Sequence, residues 1–542
     1  MIKAKILEIL KKTGIKDAEI FIPENEKFGH YSTNAALKIA KQKGKNPMAI
    51  AEEIRLSLVA CRLSLFNKIE IASPGFINFW ISEKTLQNEL REILKKKNVY
   101  GKPLPVTSHK SQVINVEFIS ANPTGPLTIG NGRGGFFGDV LANIFKFSGH
   151  KIIKEYYIND AKNSTQIREL GKTGLESGNT YLTPELKKII SKLKPKLISL
   201  KKKNLNNLEG EVGYLLAQEI NKENKKFIEK VLKIKFDKWF SEESLYKNGA
   251  VEKILSDLKK KKLIYEKDRA LWFKAKQFGD SEDRVLIRGS GEPTYILPDL
   301  AYHLNKLKIR KFFKAIDIWG ADHHGYIPRL KAGLKSLGIS EDRLKIIITQ
   351  LVRLVKNGQE YKMSKRKGDY VAMEDLIKEV GLDAARFFFL MSAPDTHMNF
   401  DLDLAKEKSM KNPVYYAQYA AVRCGSILRK ARSANSKAEL KLLNTKEDIG
   451  LMRQLAKFPE IIEEATENYN PQVLVRYSID LARQFHNFYE KERIITDLSG
   501  LNTDLRGQKI NQMTARIELI KATKIIFEIL FKLLGISYPK KM

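Results

Sequence analysis

Two stretches of this sequence carry residues suited to handling phosphate. The first is Pro123-Thr124-Gly125-Pro126-Leu127-Thr128-Ile129-Gly130-Asn131-Gly132, a glycine-crowded loop that feeds a helix. At a helix start the backbone can approach a phosphate closely. The spacing is neither the dinucleotide fingerprint nor the phosphate loop that ends in Lys-Ser/Thr. A tight turn that needs small residues fits the pattern equally well. The second stretch is Lys362-Met363-Ser364-Lys365-Arg366-Lys367-Gly368. A lysine on a flexible loop can follow charge as it moves, although a solvated basic turn looks the same. Tyr295 and Asp299 stand four apart, on one face if their segment is helical. His323 and His324 have no neighbours at metal-ligand spacing, and Cys61 and Cys424 are too few for a zinc site. No protein-bound metal is expected.

The elements that would position these residues are readable from hydrophobic period. Val113 to Ile119 is a short β-branched run, so a buried strand. Asn122-Pro123 and Gly125-Pro126 turn the chain. From Asn131, residues Phe136, Phe137, Val140, Leu141, Ile144 and Phe145 recur at helical spacing, and Gly149 can end that helix. Ile152 to Ile158, Ala315 to Trp319 and Lys345 to Gln350 read as further strands. Strands alternating with helices predict a doubly wound parallel sheet, an α/β Rossmann-type fold with its site at the carboxyl ends of the strands.

Before this region lie helices around Ile6, Ile9 and Leu10, at Asn34 to Lys43 and at Pro47 to Leu58. Strands Ile69 to Ile71 and Phe76 to Trp80 flank the turn Ser73-Pro74-Gly75, so an α+β unit is expected. Tyr31, Phe76 and Phe79 are read as core. The segment from 165 to 235 is polar and lysine-rich, and reads as a helical insertion. The end of the chain is strongly helical; Leu474, Tyr477, Leu481, Phe485 and Phe488 line one face of a helix begun by Asn470-Pro471.

Composition adds bounds. At 542 residues, about three or four domains are expected. Lysine plus arginine number 96 against 63 acids, a net charge of +33. Such a surplus suits a polyanionic partner; an AT-rich genome that inflates lysine everywhere would produce it too. The opening residues lack a long apolar core, and Ile525 to Ile536 is broken by Glu528 and Lys532. A soluble cytoplasmic protein without membrane contact is expected.

Taken together, the two phosphate-suited stretches resemble the paired signatures of class I aminoacyl-tRNA synthetases. Thr128-Ile129-Gly130-Asn131 stands where that class writes His-Ile-Gly-His, and Lys362 to Lys365 matches its Lys-Met-Ser-Lys loop. Glu117-Phe118 followed by Ser120-Ala121-Asn122-Pro123-Thr124-Gly125-Pro126-Leu127 is similar to the arginyl-tRNA synthetase version. So are Gly29 to Leu37, Pro74 to Phe79, Thr294 to Tyr302, Gly381 to Phe388, Asn399 to Asp403 and the ending Leu533 to Met542.

The resemblance implies four regions: residues 1–105 contacting tRNA, a catalytic domain at 106–368, a connecting, stem-contacting module at 369–410 and an anticodon-binding bundle at 411–542. It implies activation of L-arginine by ATP with Mg2+, then transfer to tRNA-Arg, by a monomer. Neither step needs a protein nucleophile, since placement and charge stabilisation suffice. For ATP the resemblance implies Pro123, Gly125, Thr128, Gly130, Asn131, Gly132, Met363, Ser364 and Lys365. Thr128, Asn131, Lys362 and Lys365 would act on its phosphates. Thr128 and Asn131 donate hydrogen bonds but carry no positive charge, unlike the usual histidines. For arginine it implies Glu242, Tyr295 and Asp299 at the guanidinium, Ser120 and Asn122 at the α-amino end, and Asp322 and His323 nearby. Glu117 either acts in the pocket or orients Arg133.

Two other readings compete. A cysteinyl enzyme shares the helical domain but needs a zinc site that two isolated cysteines do not supply. An RNA-binding paralogue without catalysis draws support only from the altered Thr128 and Asn131.

Overall fold

The computed structural model describes residues 1–23, 25–60, 64–103, 112–203, 205–361, 371–431, 438–494 and 503–542. The chain divides into two compact units, one of Pro105–Lys408 and one that joins Met1–Leu104 to Ser409–Met542.

The Pro105–Lys408 unit is built on five parallel strands: β1 (Val113–Glu117), β2 (Lys151–Ile158), β3 (Lys238–Ser241), β4 (Lys314–Gly320) and β5 (Leu344–Thr349). Their order across the sheet is 5-4-1-2-3. The order therefore reverses between β1 and β4, which is where ligands bind in such sheets. Helix α1 (Ile129–Phe147) follows β1 and packs so closely that a Cβ on Gly138 would run into the ring of Phe118. Between β2 and β3 the chain forms three helices, Thr165–Gly174, Pro184–Lys201 and Leu208–Lys230, with their own apolar cluster. Helix α2 (Ile296–Leu304) carries Asp299 and runs into a π-helical turn at Asn305–Ile309.

One detail differs from the sequence reading. β1 stops at Glu117, and Ile119 and Ser120 adopt left-handed φ values of 69° and 41°. Ala270–Phe273 and Arg284–Ile287 pair with each other, and Ala270–Phe273 also pairs with Ile264–Lys267, in a separate antiparallel sheet.

In the other unit, the central strand Phe76–Ile81 pairs antiparallel with Tyr31–Thr33 and Phe66–Ala72. Tyr31 and Phe79 are buried, and the Tyr31 hydroxyl donates to the Glu460 carboxylate at 2.9 Å. The expectation of core residues holds for these two, whereas Phe76 is half-buried. The described residues of this unit also form four helices before residue 97, Ile2–Lys12, Ala35–Lys43, Pro47–Ala60 and Glu83–Lys96, and five more from Pro413–Lys430 to Thr503–Leu534. Leu474, Tyr477, Leu481, Phe485 and Phe488 are all buried, as their period requires. No described helix is long and apolar enough to cross a membrane.

Candidate active site

Two clefts adjoin at the carboxyl ends of β1 and β4. The first, of about 550 Å³, is lined by Thr128, Ile129, Gly130 and Asn131 at the start of α1, and by residues following β4 and β5. The second, of about 870 Å³, is lined by Glu117, Ser120, Asn122, Glu242, Tyr295, Asp299, Asp322 and His323. Asn131, Ile119, Gly320 and Asp322 border both. Pro123, Gly125 and Gly132 line neither. The Gly125 carbonyl instead accepts from Asn224, and Gly132 packs against Met373. Lys362, Met363, Ser364 and Lys365 lie outside the described residues.

At the helix start, Thr128 and Asn131 form a reciprocal cap. The Thr128 Oγ accepts from the Asn131 backbone N–H at 3.4 Å, and Asn131 Oδ1 accepts from the Thr128 hydroxyl and backbone N–H, both at 2.9 Å. The Thr128 proton is thereby committed. Of the two side chains, only the Asn131 amide NH2 remains to donate into the cleft. Gly130 is exposed, and a Cβ there would meet nothing closer than Thr128 Oγ at 3.7 Å.

The second cleft is acidic at its far end. Glu242 stands just before the short helix Glu243–Lys247 that follows β3, its side chain making no capping bond, and only 6 % of it is exposed. Burial, then the charge of Asp299, pushes its carboxyl well above the ordinary range. Burial likewise raises Asp299, which has the Tyr326 hydroxyl beside it. Neither carboxylate has an ion-pair partner among the described residues. Tyr295 precedes α2 and is half exposed, with Asp299 one turn on. Asp322 and His323 are exposed at the mouth, 3.5 Å apart. Ser120 is held on every side. Its Oγ donates to Glu117 Oε1 at 3.0 Å and accepts from Tyr157 N–H at 3.0 Å, and its carbonyl accepts from Asn159 at 2.9 Å.

Glu117 does not orient Arg133. Arg133 donates instead to the carbonyls of Gln350, Ala393 and Thr396, at 2.7–2.8 Å. Glu117 receives the ammonium of Lys306. Sequence reasoning passed over Tyr157 and Tyr326, whose hydroxyls are buried against this cleft. It also passed over Lys306. The available signal was position: Tyr157 sits near the carboxyl end of a sheet strand. Among the described residues, no group of three or more His, Cys, Asp or Glu is arranged to hold a metal ion.

Comparison with known families agrees with this geometry along the chain. Residues 89–391 match the family described as tRNA synthetases class I (R), catalytic domain; residues 1–81 match the arginyl tRNA synthetase N terminal domain; residues 417–542 match the DALR anticodon binding domain. The parallel sheet, with a cleft at its switch point beside a capped helix start, is thus that of a class I tRNA synthetase. Among curated relatives, the arginine–tRNA ligase of Bacillus pumilus is 39% identical, over 100% of this chain and 98% of its own. That of Listeria welshimeri is 41% identical, over 98% and 97%. The Thermus thermophilus arginyl-tRNA synthetase structure aligns with a TM-score of 0.78 over 100% and 99%, at 20% identity. The chain belongs to the arginyl-tRNA synthetase family.

Proposed function

We propose that the chain attaches arginine to tRNA-Arg in two steps at the adjoining clefts. ATP, entering with its magnesium, lies in the first cleft. Its base rests against the backbone at Gly130, and its phosphates meet the α1 start and the Asn131 amide. Lys362 and Lys365 would draw off the β- and γ-phosphates as pyrophosphate. Arginine lies in the second cleft. Its guanidinium meets Glu242, Asp299 and Tyr295, and its α-amino end meets Ser120 and Asn122. Asp322 and His323 flank the passage between the clefts. The arginine carboxylate attacks the α-phosphate, and a terminal ribose hydroxyl of the tRNA then takes the acyl group. Placement carries both steps.

The observation that carries this reading is the pair Glu242 and Asp299. A buried carboxylate and a half-buried one sharing a cleft without a cation are unfavourable in an empty site. A planar guanidinium, with five donors, satisfies both. The chain works in the cytoplasm as a monomer, with residues 1–105, 369–410 and 411–542 meeting the tRNA elbow, stem and anticodon. Arginine activation waits for tRNA, so pyrophosphate exchange should depend on it.

The test is charging of matched total tRNA with ATP, magnesium and each amino acid in turn. Attachment of arginine alone is expected. No attachment, with arginine-accepting tRNA still bound, would replace this reading with that of an RNA-binding paralogue.

A further inference from the structure

Lys306 is completely buried, on the π-helical turn that ends α2. Its ammonium lies 2.5 Å from Glu117 Oε2 and 2.8 Å from Asp317 Oδ1, and 4.2 Å above the Tyr302 ring. Glu117 and Asp317 are directly opposite each other on β1 and β4. Two like charges so placed repel, and the lysine sits between them at the sheet's switch point.

Each carboxylate also reaches out of the pair. Glu117 Oε1 accepts from Ser120, the residue whose left-handed backbone forms one wall of the second cleft. Asp317 Oδ2 meets His303 Nε2 at 2.7 Å, and His303 Nδ1 meets the carbonyl of Asp299 at 2.7 Å. One buried cation therefore connects two walls. One path runs through Glu117 to Ser120, and the other through Asp317 and His303 to the backbone of Asp299. The turn at Ile119 and Ser120 is backbone that non-glycine residues hold only when their surroundings impose it. The Glu117 bond is one of those constraints.

We infer that Lys306 is a positioning residue for arginine, setting through Glu117 and Asp317 the distance between the α-amino end and the guanidinium end of its cleft. The inference rests on the reading of that cleft as the arginine site. A buried ion pair is not by itself needed for stability, because apolar replacements of similar volume often fold as well. Placing both walls of a cleft is a task that an apolar side chain cannot perform.

The experiment compares wild type with Lys306→Met, Lys306→Arg and Glu117→Gln in the full chain. It measures charging with arginine and ATP varied separately, at a temperature where each variant is folded. Lys306→Met is expected to raise the arginine KM about tenfold or more and to leave the ATP KM within about twofold. Lys306→Arg should recover most of that loss. Glu117→Gln leaves Lys306 paired with Asp317 and is expected to fold. It should raise the arginine KM by about threefold or more, and if Lys306→Met does not fold, an unmoved arginine KM in Glu117→Gln still overturns the inference. An arginine KM unmoved in Glu117→Gln overturns the inference, as does an equal rise in both KM values in Lys306→Met. A wild-type chain that attaches no arginine removes the reading of the cleft, and this inference with it.

Discussion

Replacing Asp299 with asparagine should weaken arginine use and strengthen the empty protein. The side chain keeps its size and one acceptor oxygen, and loses its charge. In the wild type, Asp299 lies in the same cleft as the nearly buried Glu242, and each carboxyl is raised by burial. A guanidinium bound there exchanges a charge-assisted bond for a neutral one in Asp299→Asn. That loss is about 1–1.5 kcal/mol, the difference between a bond to a charged group and a neutral one roughly half as strong. At about 1.36 kcal/mol per decade, kcat/KM for arginine should fall about 5- to 13-fold. ATP parameters should hold. Stability should move the other way. An acid raised in the folded state holds its proton more tightly there than in the unfolded chain, so its stabilising contribution is lost as pH rises through the raised value. The amide of the variant has no proton to lose in this range, so Asp299→Asn should melt at or above the wild-type temperature at pH 8. Added arginine should raise the melting temperature of the wild type far more than that of the variant. Steady-state charging with arginine varied, together with thermal unfolding, gives both answers. Arginine kcat/KM within about threefold of wild type would remove Asp299 from the guanidinium site.

Three further outcomes follow from other contacts. Gly138→Ala drives a methyl group into the fully buried Phe118, and should cost about 1–3 kcal/mol in urea unfolding. Thr128→Ala removes the helix cap, costing about 1 kcal/mol. It also frees the Asn131 amide to turn, so the ATP KM should rise, whereas Thr128→Ser should preserve both. Glu460, raised by burial to about 7, accepts from Tyr31 and from the Lys3 backbone N–H. A raised acid makes its stabilising contribution at low pH and loses it between its ordinary range and about 7. The wild type should therefore lose melting temperature from pH 5 to pH 8, and Glu460→Gln should flatten that slope.

The parts of this fold legible in the sequence are those written in one stretch of chain. The period of Phe136 to Phe145 marks α1, and the β-branched runs at 113, 152, 315 and 345 mark four of the five sheet strands within a residue or two of their bounds. Thr128 and Asn131 stand at the spacing of a helix cap. That local signal foretells their mutual bonding more directly than it foretells contact with phosphate. What was hidden depends on partners far apart in sequence. Nothing distinguishes Lys306 among 96 basic residues until β1 and β4 lie side by side and bring Glu117 and Asp317 to it. The left-handed turn at Ile119 and Ser120 is equally invisible, because a β-branched residue avoids that conformation unless tertiary bonds impose it.

The two kinds of residue meet for a physical reason. A parallel sheet whose order reverses between β1 and β4 opens a crevice there, and the strand ends on either side carry acids. Glu117 and Asp317 are answered from within by Lys306. Glu242 and Asp299, farther along the same cleft, have no internal answer among the described residues. Had all four been neutralised, the cleft would have no preference for a cation. Had none been, four acids crowded into this part of the fold would have repelled one another and raised their own affinity for protons. One lysine placed beneath the floor leaves the remaining negative charge at the far end, where a long basic side chain can reach it while its α-carboxylate stays beside the start of α1.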